Sequence, residues 1–120
     1  MNDKAAFNQA FRARTQAAAL RVVRLYQSLP FTGDAQVLGK QLLRSATSVA
    51  ANYRAACRGR SGAEWFAKVC ICVEEADESQ MWLELLRDAD IVPAHKLADL
   101  LQEYGEIVVV LTTARHNYGK

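Results

Sequence analysis

The sequence predicts an all-α protein, folded as an up-down-up-down antiparallel four-helix bundle. Apolar residues recur at steps of three and four along four long stretches, and short segments with Gly or Pro separate those stretches. Hydrophobic types make up 51% of the 120 residues, which is enough for the core of one domain. Because short connections place consecutive helices side by side, a single bundle over residues 1–120 is expected.

The first predicted helix covers residues 4–28. Phe7, Phe11 and Val22 fall on one of its faces at helical spacing. Pro30 then prevents the helix from continuing, because proline has no backbone N–H to donate.

The second predicted helix covers residues 34–58. Thr32 or Asp34 caps its start, since both side chains accept a hydrogen bond from a free backbone N–H. Gly59 is predicted to take the left-handed conformation that commonly ends a helix.

The third predicted helix covers residues 62–89 and begins at a capping box of Ser61 and Glu64. Its apolar face is wider than contact with a single neighbour requires. The face consists of two neighbouring lines of apolar residues. The second line contains Ile71, Trp82 and Leu85.

The fourth predicted helix covers residues 93–117, with Pro93 in its first turn. Residues 106–113 read EIVVVLTT, and this β-branched run would suit a strand on propensity alone. The chain offers no second strand to pair with it, so a helix is expected here.

Charge is distributed unevenly along the chain. Residues 1–60 hold ten Lys and Arg against two acids, whereas residues 61–120 hold five against eleven. Such asymmetry suits an acidic partner such as nucleic acid. It equally suits attraction between the two halves, within one chain or between subunits.

Two helices carry their cations as stripes. At 100° per residue, each stripe occupies an arc of about 80°. The second-helix stripe contains Lys40, Arg44, Arg54 and Arg58, and the first-helix stripe contains Arg14, Arg21 and Arg24. With Arg60 of the following turn, these are the predicted contacts to RNA or DNA, for which phosphate neutralisation requires no fixed motif. Tyr53 is the one aromatic residue near the second-helix stripe.

Carboxylates interrupt the apolar face of the third helix. Glu75 and Glu78 share a side with Trp82, where acids are unexpected, and we interpret them as ion-paired with arginines of the first half. Together with Trp65 and Trp82, interpreted as exposed, they are predicted to lie in a subunit interface. A di-iron site would need Glu-x-x-His pairs, which the sequence lacks.

No catalytic residue, metal site, cofactor or small-molecule substrate is predicted. Cys57, Cys70 and Cys72 have no framework or zinc spacing and are expected to be buried or half-buried thiols. No nucleophile, base and pocket can be placed together, so an enzyme is not expected. The chain has no signal-like or membrane-spanning segment, so a cytoplasmic location is expected.

The segment LLRSATSVAANYRAACRGRSGAEWF resembles the four-helix bundle family associated with intervening sequences of bacterial 23S rRNA genes. Trp65 stands where that family usually has Phe, and Arg54 falls in a stretch where it usually has A-E-G. The resemblance implies a homo-oligomer, commonly a pentameric ring, without known catalysis. A more distant likeness is to the accessory protein of diversity-generating retroelements, a basic bundle that partners a reverse transcriptase. The matching residues are Leu43, Arg44, Ala46, Ser48, Val49, Asn52, Gly59, Arg60, Ser61 and Glu64.

Two functional hypotheses follow. In the first, a non-enzymatic, self-assembling bundle binds nucleic acid, or a nucleic-acid-processing partner, through its basic face. In the second, the bundle is a structural or protein-interaction module whose basic and acidic halves pair between subunits.

Overall fold

A computed structural model describes residues 2–120, and these form four α-helices without a strand. Each helix begins and ends within one residue of the position predicted from sequence, and residues 106–113 are helical. No helix in the described range is long and apolar enough to cross a membrane. The helices are α1 (Asp3–Gln27), α2 (Gly33–Cys57), α3 (Gly62–Asp88) and α4 (Ala94–Asn117).

The helices form an elongated bundle measuring 45 × 22 × 22 Å. Helix α2 packs most extensively on α3, and α1 and α4 pack on α2 and α3 respectively and meet each other at fewer positions. Ser45 of α2 meets Ser79 of α3 with 2.7 Å between their hydroxyl oxygens. Four residues further along α2, the carbonyl of Val49 lies 3.6 Å from the Sγ of Cys72. The largest fully buried side chains are Tyr53, Tyr104, Leu42, Leu83, Leu86, Leu97, Ile107 and Leu111.

The turn between α2 and α3 contains the predicted capping box. The Ser61 hydroxyl accepts from the Glu64 N–H at 3.1 Å, and the Glu64 carboxylate accepts from the Arg60 N–H at 2.6 Å. The predicted left-handed Gly59 is wrong, because among the described residues only Asp90 and Gly119 have positive φ. Helix α2 instead ends in a tightened turn, in which the Gly59 N–H donates to the Ala56 carbonyl at 3.1 Å. Glycine suits this position because it has no side chain, since a Cβ here would lie only 3.2 Å from the Ala56 carbonyl oxygen.

Left-handed backbone occurs instead where α3 ends. Asp90 has φ of 58°, which aspartate tolerates better than most side chains. The next N–H, that of Ile91, reaches back to the Leu86 carbonyl at 3.0 Å, as in a Schellman motif. The chain then enters α4, for which Pro93 is the N-cap residue.

Candidate nucleic-acid interface

The second-helix stripe is divided by its contact with α3. Arg44 donates to Glu75 at 3.0 Å and also pairs with Glu78. Glu78 in turn accepts from the Trp82 indole N–H at 3.1 Å. These contacts explain the acids on the apolar side of α3, and they are the intrachain form of the ion pairing that the sequence predicts. The charge of Arg44 is therefore compensated within the chain.

The other three cations of this stripe have no such partner. Lys40, Arg54 and Arg58 are exposed, and none forms an ion pair with a carboxylate of residues 2–120. Only Asp3 and Asp34 are acidic within the first 60 residues, so α2 has few local carboxylates to neutralise these cations.

The first-helix stripe is likewise split between a paired and an unpaired part. Arg14 binds Glu103 of α4 through two nitrogens, at 2.6 and 2.9 Å, and Glu106 at 3.0 Å. Hydrogen bonds from Arg14 lower the pKa of Glu103 and the same bonds raise the pKa of Arg14. Arg21 and Arg24 are exposed and make no ion pair in the described part of the chain.

Arg60 belongs to the turn rather than to a stripe. Its guanidinium lies 3.3 Å from the Glu64 carboxylate, although its side chain is 91% exposed. A pair this exposed contributes little to stability and is easily exchanged for another anion.

An open apolar groove lies between α1 and α2 and had no counterpart in the sequence predictions. It has a volume of about 720 Å³, and Arg54 is the only cation that lines it within the described residues. One cation of the second-helix stripe, Arg54, thus lines an apolar groove. Its walls are Ala13, Gln16, Ala17, Ala19, Leu20 and Val23 of α1 with Thr47, Ala50, Ala51 and Arg54 of α2. The sequence feature that could have indicated a close approach here is the set of alanines at helical spacing on the face of α1 opposite its core residues.

Three aromatic residues are buried or half-buried, and two of them, Trp65 and Trp82, were predicted to be exposed. Tyr53 is buried, and its hydroxyl donates to Asn8 at 2.9 Å, so it is not available to stack on a base. Trp65 and Trp82, predicted to be exposed, are half-buried against the core of their own subunit. The Trp65 ring stacks on Tyr118 with 5.9 Å between ring centroids. The predicted exposure of the two tryptophans was wrong because part of the wide apolar face of α3 packs against the core of the same chain.

The remaining reactive groups are placed unfavourably for catalysis. Cys72 is buried, which raises the pKa of its thiol to about 12, and burial also raises the pKa of Cys57. Such thiols are protonated near neutral pH and are poor nucleophiles. His95 and His116 are exposed at opposite ends of α4. Residues 2–120 contain no cluster of three side chains that could hold a metal ion.

Comparison with known proteins identifies relatives of the whole bundle. A solved structure from Bacteroides thetaiotaomicron, described as a protein with unknown function from the S23 ribosomal protein family, is 30% identical to this chain. The likeness has a TM-score of 0.84 and covers 92% of this chain and 98% of the other. No curated protein matches the chain.

The family model described as 23S rRNA-intervening sequence protein matches residues 9–113. This range includes α2 and α3 completely, most of α1 and α4, and both basic stripes. It also includes the motif between Leu43 and Glu64 on which the resemblance rests. The chain is therefore a member of the 23S rRNA-intervening sequence protein family.

Proposed function

We propose that this protein is a non-enzymatic, cytoplasmic bundle that binds the phosphate backbone of RNA or DNA through its exposed cations. One observation carries the proposal: five of the eight predicted contacts are exposed and form no ion pair with the described carboxylates. These are Lys40 and Arg54 of α2, Arg58 at the C-cap of α2, and Arg21 and Arg24 of α1.

The mode of binding follows from the side chains that are available. Unpaired cations release condensed counterions when they neutralise phosphates, which gives affinity without sequence specificity. Stacking on bases is not part of the proposal, because Tyr53 is buried. Binding should therefore depend steeply on salt and little on base sequence.

We also propose that the helices follow an up-down-up-down order and that subunits assemble into a ring, a pentamer by family resemblance. The order is supported by the short connections between helices. It is also supported by the contacts of Ser45 with Ser79 and of Val49 with Cys72, because residue numbers rise along α2 while they fall along α3, as in antiparallel helices. A ring would repeat the basic face of each subunit around one axis, and multivalent contact with a long polyanion would raise the affinity.

The test is binding of a fluorescent duplex, made once as RNA and once as DNA, across a series of salt concentrations. Wild-type protein should bind both at low salt. The variant Lys40→Gln/Arg58→Gln should lose on the order of tenfold in affinity, and the salt dependence should fall by about 1.8 in slope for DNA, since each phosphate contact contributes about 0.9.

The matched control is Lys96→Gln/Lys120→Gln, which removes two exposed cations from the acidic half. It makes the same change in net charge and should retain nearly wild-type affinity. Equal losses in both variants would show that only overall charge matters. Absence of binding by the wild-type protein at low salt would refute the proposed function.

A further inference from the structure

The outer face of α3 carries an apolar stripe that its own subunit does not cover. Its positions recur at alternating steps of four and three, the spacing with which one helix packs along another, with exposed apolar residues toward both ends and two glutamates between them. Ile71 is 38% exposed, Met81 41% and Leu85 40%. The stripe, which we call the α3 outer stripe, consists of the exposed residues Ala67, Ile71, Glu74, Met81 and Leu85 and of Glu78, which is half-buried and pairs with Arg44 of the same chain.

The outer face of α1 carries a stripe with the same spacing but with small residues. Leu20 is 53% exposed at its end, and the alanines before it leave room for a helix to approach closely. Ala13, Ala17 and Leu20 form one wall of the groove described above, and Ala51 and Arg54 belong to the opposite wall. The α1 outer stripe consists of Ala6, Ala10, Ala13, Ala17 and Leu20, all of them exposed.

The two surfaces are opposite in charge. Arg54 lines the groove, Arg21 and Arg24 are exposed on α1, and Arg58 is exposed at the C-cap of α2. The α3 outer stripe contains Glu74, which is exposed and makes no ion pair with residues 2–120. Exposed acids also flank that stripe, at Asp77 and Glu84.

We propose that the α3 outer stripe of one copy of this chain docks in the groove between α1 and α2 of a second copy. Large side chains of the stripe, such as Met81 and Leu85, would fill the space above the alanines of the groove. Glu74 would face Arg54, which lines the groove, so that charge sets which surfaces meet, while Lys40 and Arg58, which do not line it, would stay available to phosphates. The partner is a second copy because one chain carries both complementary surfaces.

This contact joins different surfaces of two subunits, so each copy offers one groove and one stripe. Such a heterologous contact builds a ring when its rotation closes. A stable contact needs about 800 Å² from each partner. One side of a bundle 45 Å long and 22 Å wide offers roughly that much, which fits stripes that run along most of a helix. The inference rests on the self-assembly proposed above and names the surfaces responsible.

The test uses one variant for each surface, measured by sedimentation velocity at micromolar concentration. Ala17→Glu places a charge in the groove, and Met81→Glu places one in the α3 outer stripe. Both positions are exposed, and Glu is a good helix former, so each variant should fold, as circular dichroism would verify. Each variant alone should be a monomer. The control Val109→Glu changes an exposed apolar residue of α4 outside both surfaces and should assemble like the wild-type protein.

Mixing the two variants gives the sharpest result. The intact stripe of Ala17→Glu should dock in the intact groove of Met81→Glu and form a 1:1 dimer that grows no further. A mixture that remains monomeric would overturn the proposed pairing of these surfaces. Assembly of either single variant to the wild-type size would overturn it as well, while leaving self-assembly intact. A monomeric wild-type protein would refute self-assembly itself, together with the surfaces named for it.

Discussion

Arg44 and Arg54 lie on the same stripe of α2, but the surroundings of one are acidic and those of the other are apolar. Arg44 meets Glu75 and Glu78 of α3, and its charge is compensated within the subunit. Arg54 lines a groove whose opposite wall is made largely of alanines from α1. The arc that a residue occupies on its own helix therefore does not decide whether its charge is available to a partner. The helix packed beside it decides this.

The same contrast separates the two ends of the first-helix stripe. Arg14 is held by two carboxylates of α4, whereas Arg21 and Arg24 make no ion pair within the described residues. In both helices the paired arginine faces the acidic half of the chain. Ion pairs within the chain thus join the basic and acidic halves at two places, while the other cations of the two stripes make no ion pair with residues 2–120.

The largest expected effect comes from replacing a core residue and comparing it with a residue of the groove. Leu83→Ala should lower the free energy of unfolding by about 2–5 kcal/mol, because Leu83 is fully buried and its removal leaves a cavity. Leu20→Ala should cost only about 0.5 kcal/mol, because Leu20 is 53% exposed. Urea unfolding at concentrations below those at which the protein associates measures both. Equal losses would mean that the groove is part of the core.

Removing the two carboxylates of α3 that pair with Arg44 should increase the affinity for nucleic acid. Glu75→Gln/Glu78→Gln leaves the Arg44 guanidinium without an anionic partner, so affinity for the duplex should rise several-fold. The control Glu84→Gln/Asp99→Asn removes two exposed negative charges away from Arg44 and should raise affinity less. Sedimentation of both variants distinguishes this effect from altered assembly. If the control gains as much, pairing does not determine whether Arg44 is available.

The smallest expected effect is a pH dependence of stability that involves Arg14. The pKa of Glu103 is lowered in the folded state by hydrogen bonds from Arg14. The contribution of this ion pair to the free energy of unfolding is therefore complete above the ordinary pKa of a glutamate. It is lost as the pH falls through the lowered pKa of Glu103. Arg14→Gln should cost below about 1 kcal/mol at neutral pH, because the pair is partly exposed.

The difference between this variant and the wild-type protein should shrink as the pH falls from about 6 to about 3. Thermal unfolding followed across that range is the measurement. A difference that stays constant, or grows in acid, would contradict the assigned cause of the shift. The variant Arg21→Gln, which removes an unpaired arginine of the same stripe, should show much less of this pH dependence.

The sequence was sufficient for the features that depend on local patterns. Apolar spacing located the four helices, and the Ser61 and Glu64 pair located the start of α3 to the residue. The left-handed conformation predicted for Gly59 was wrong. A tightened turn satisfies the last carbonyls of α2, so no left-handed residue is needed there.

Features that depend on contacts between helices were less accessible from the sequence. Helical period placed Arg44 and Arg54 on one arc, but only the register of α2 against α3 pairs Arg44 with Glu75 and Glu78. Trp82 was predicted to be exposed because the apolar face of the third helix is wider than one neighbour requires, yet its indole N–H donates to Glu78 of the same helix. The groove depends on two helices together, so the exposed alanines of α1 could indicate a close approach but not the groove that α1 forms with α2.

The most direct test of the central claim compares Arg44→Gln with Arg58→Gln in binding of the same duplex at low salt. Both variants remove one exposed cation from the same stripe of α2, so their effects on overall charge are identical. The account predicts that Arg58→Gln weakens binding several-fold, whereas Arg44→Gln changes it much less, because that charge is already compensated. An equal loss in both variants, or a larger loss for Arg44→Gln, would contradict the account.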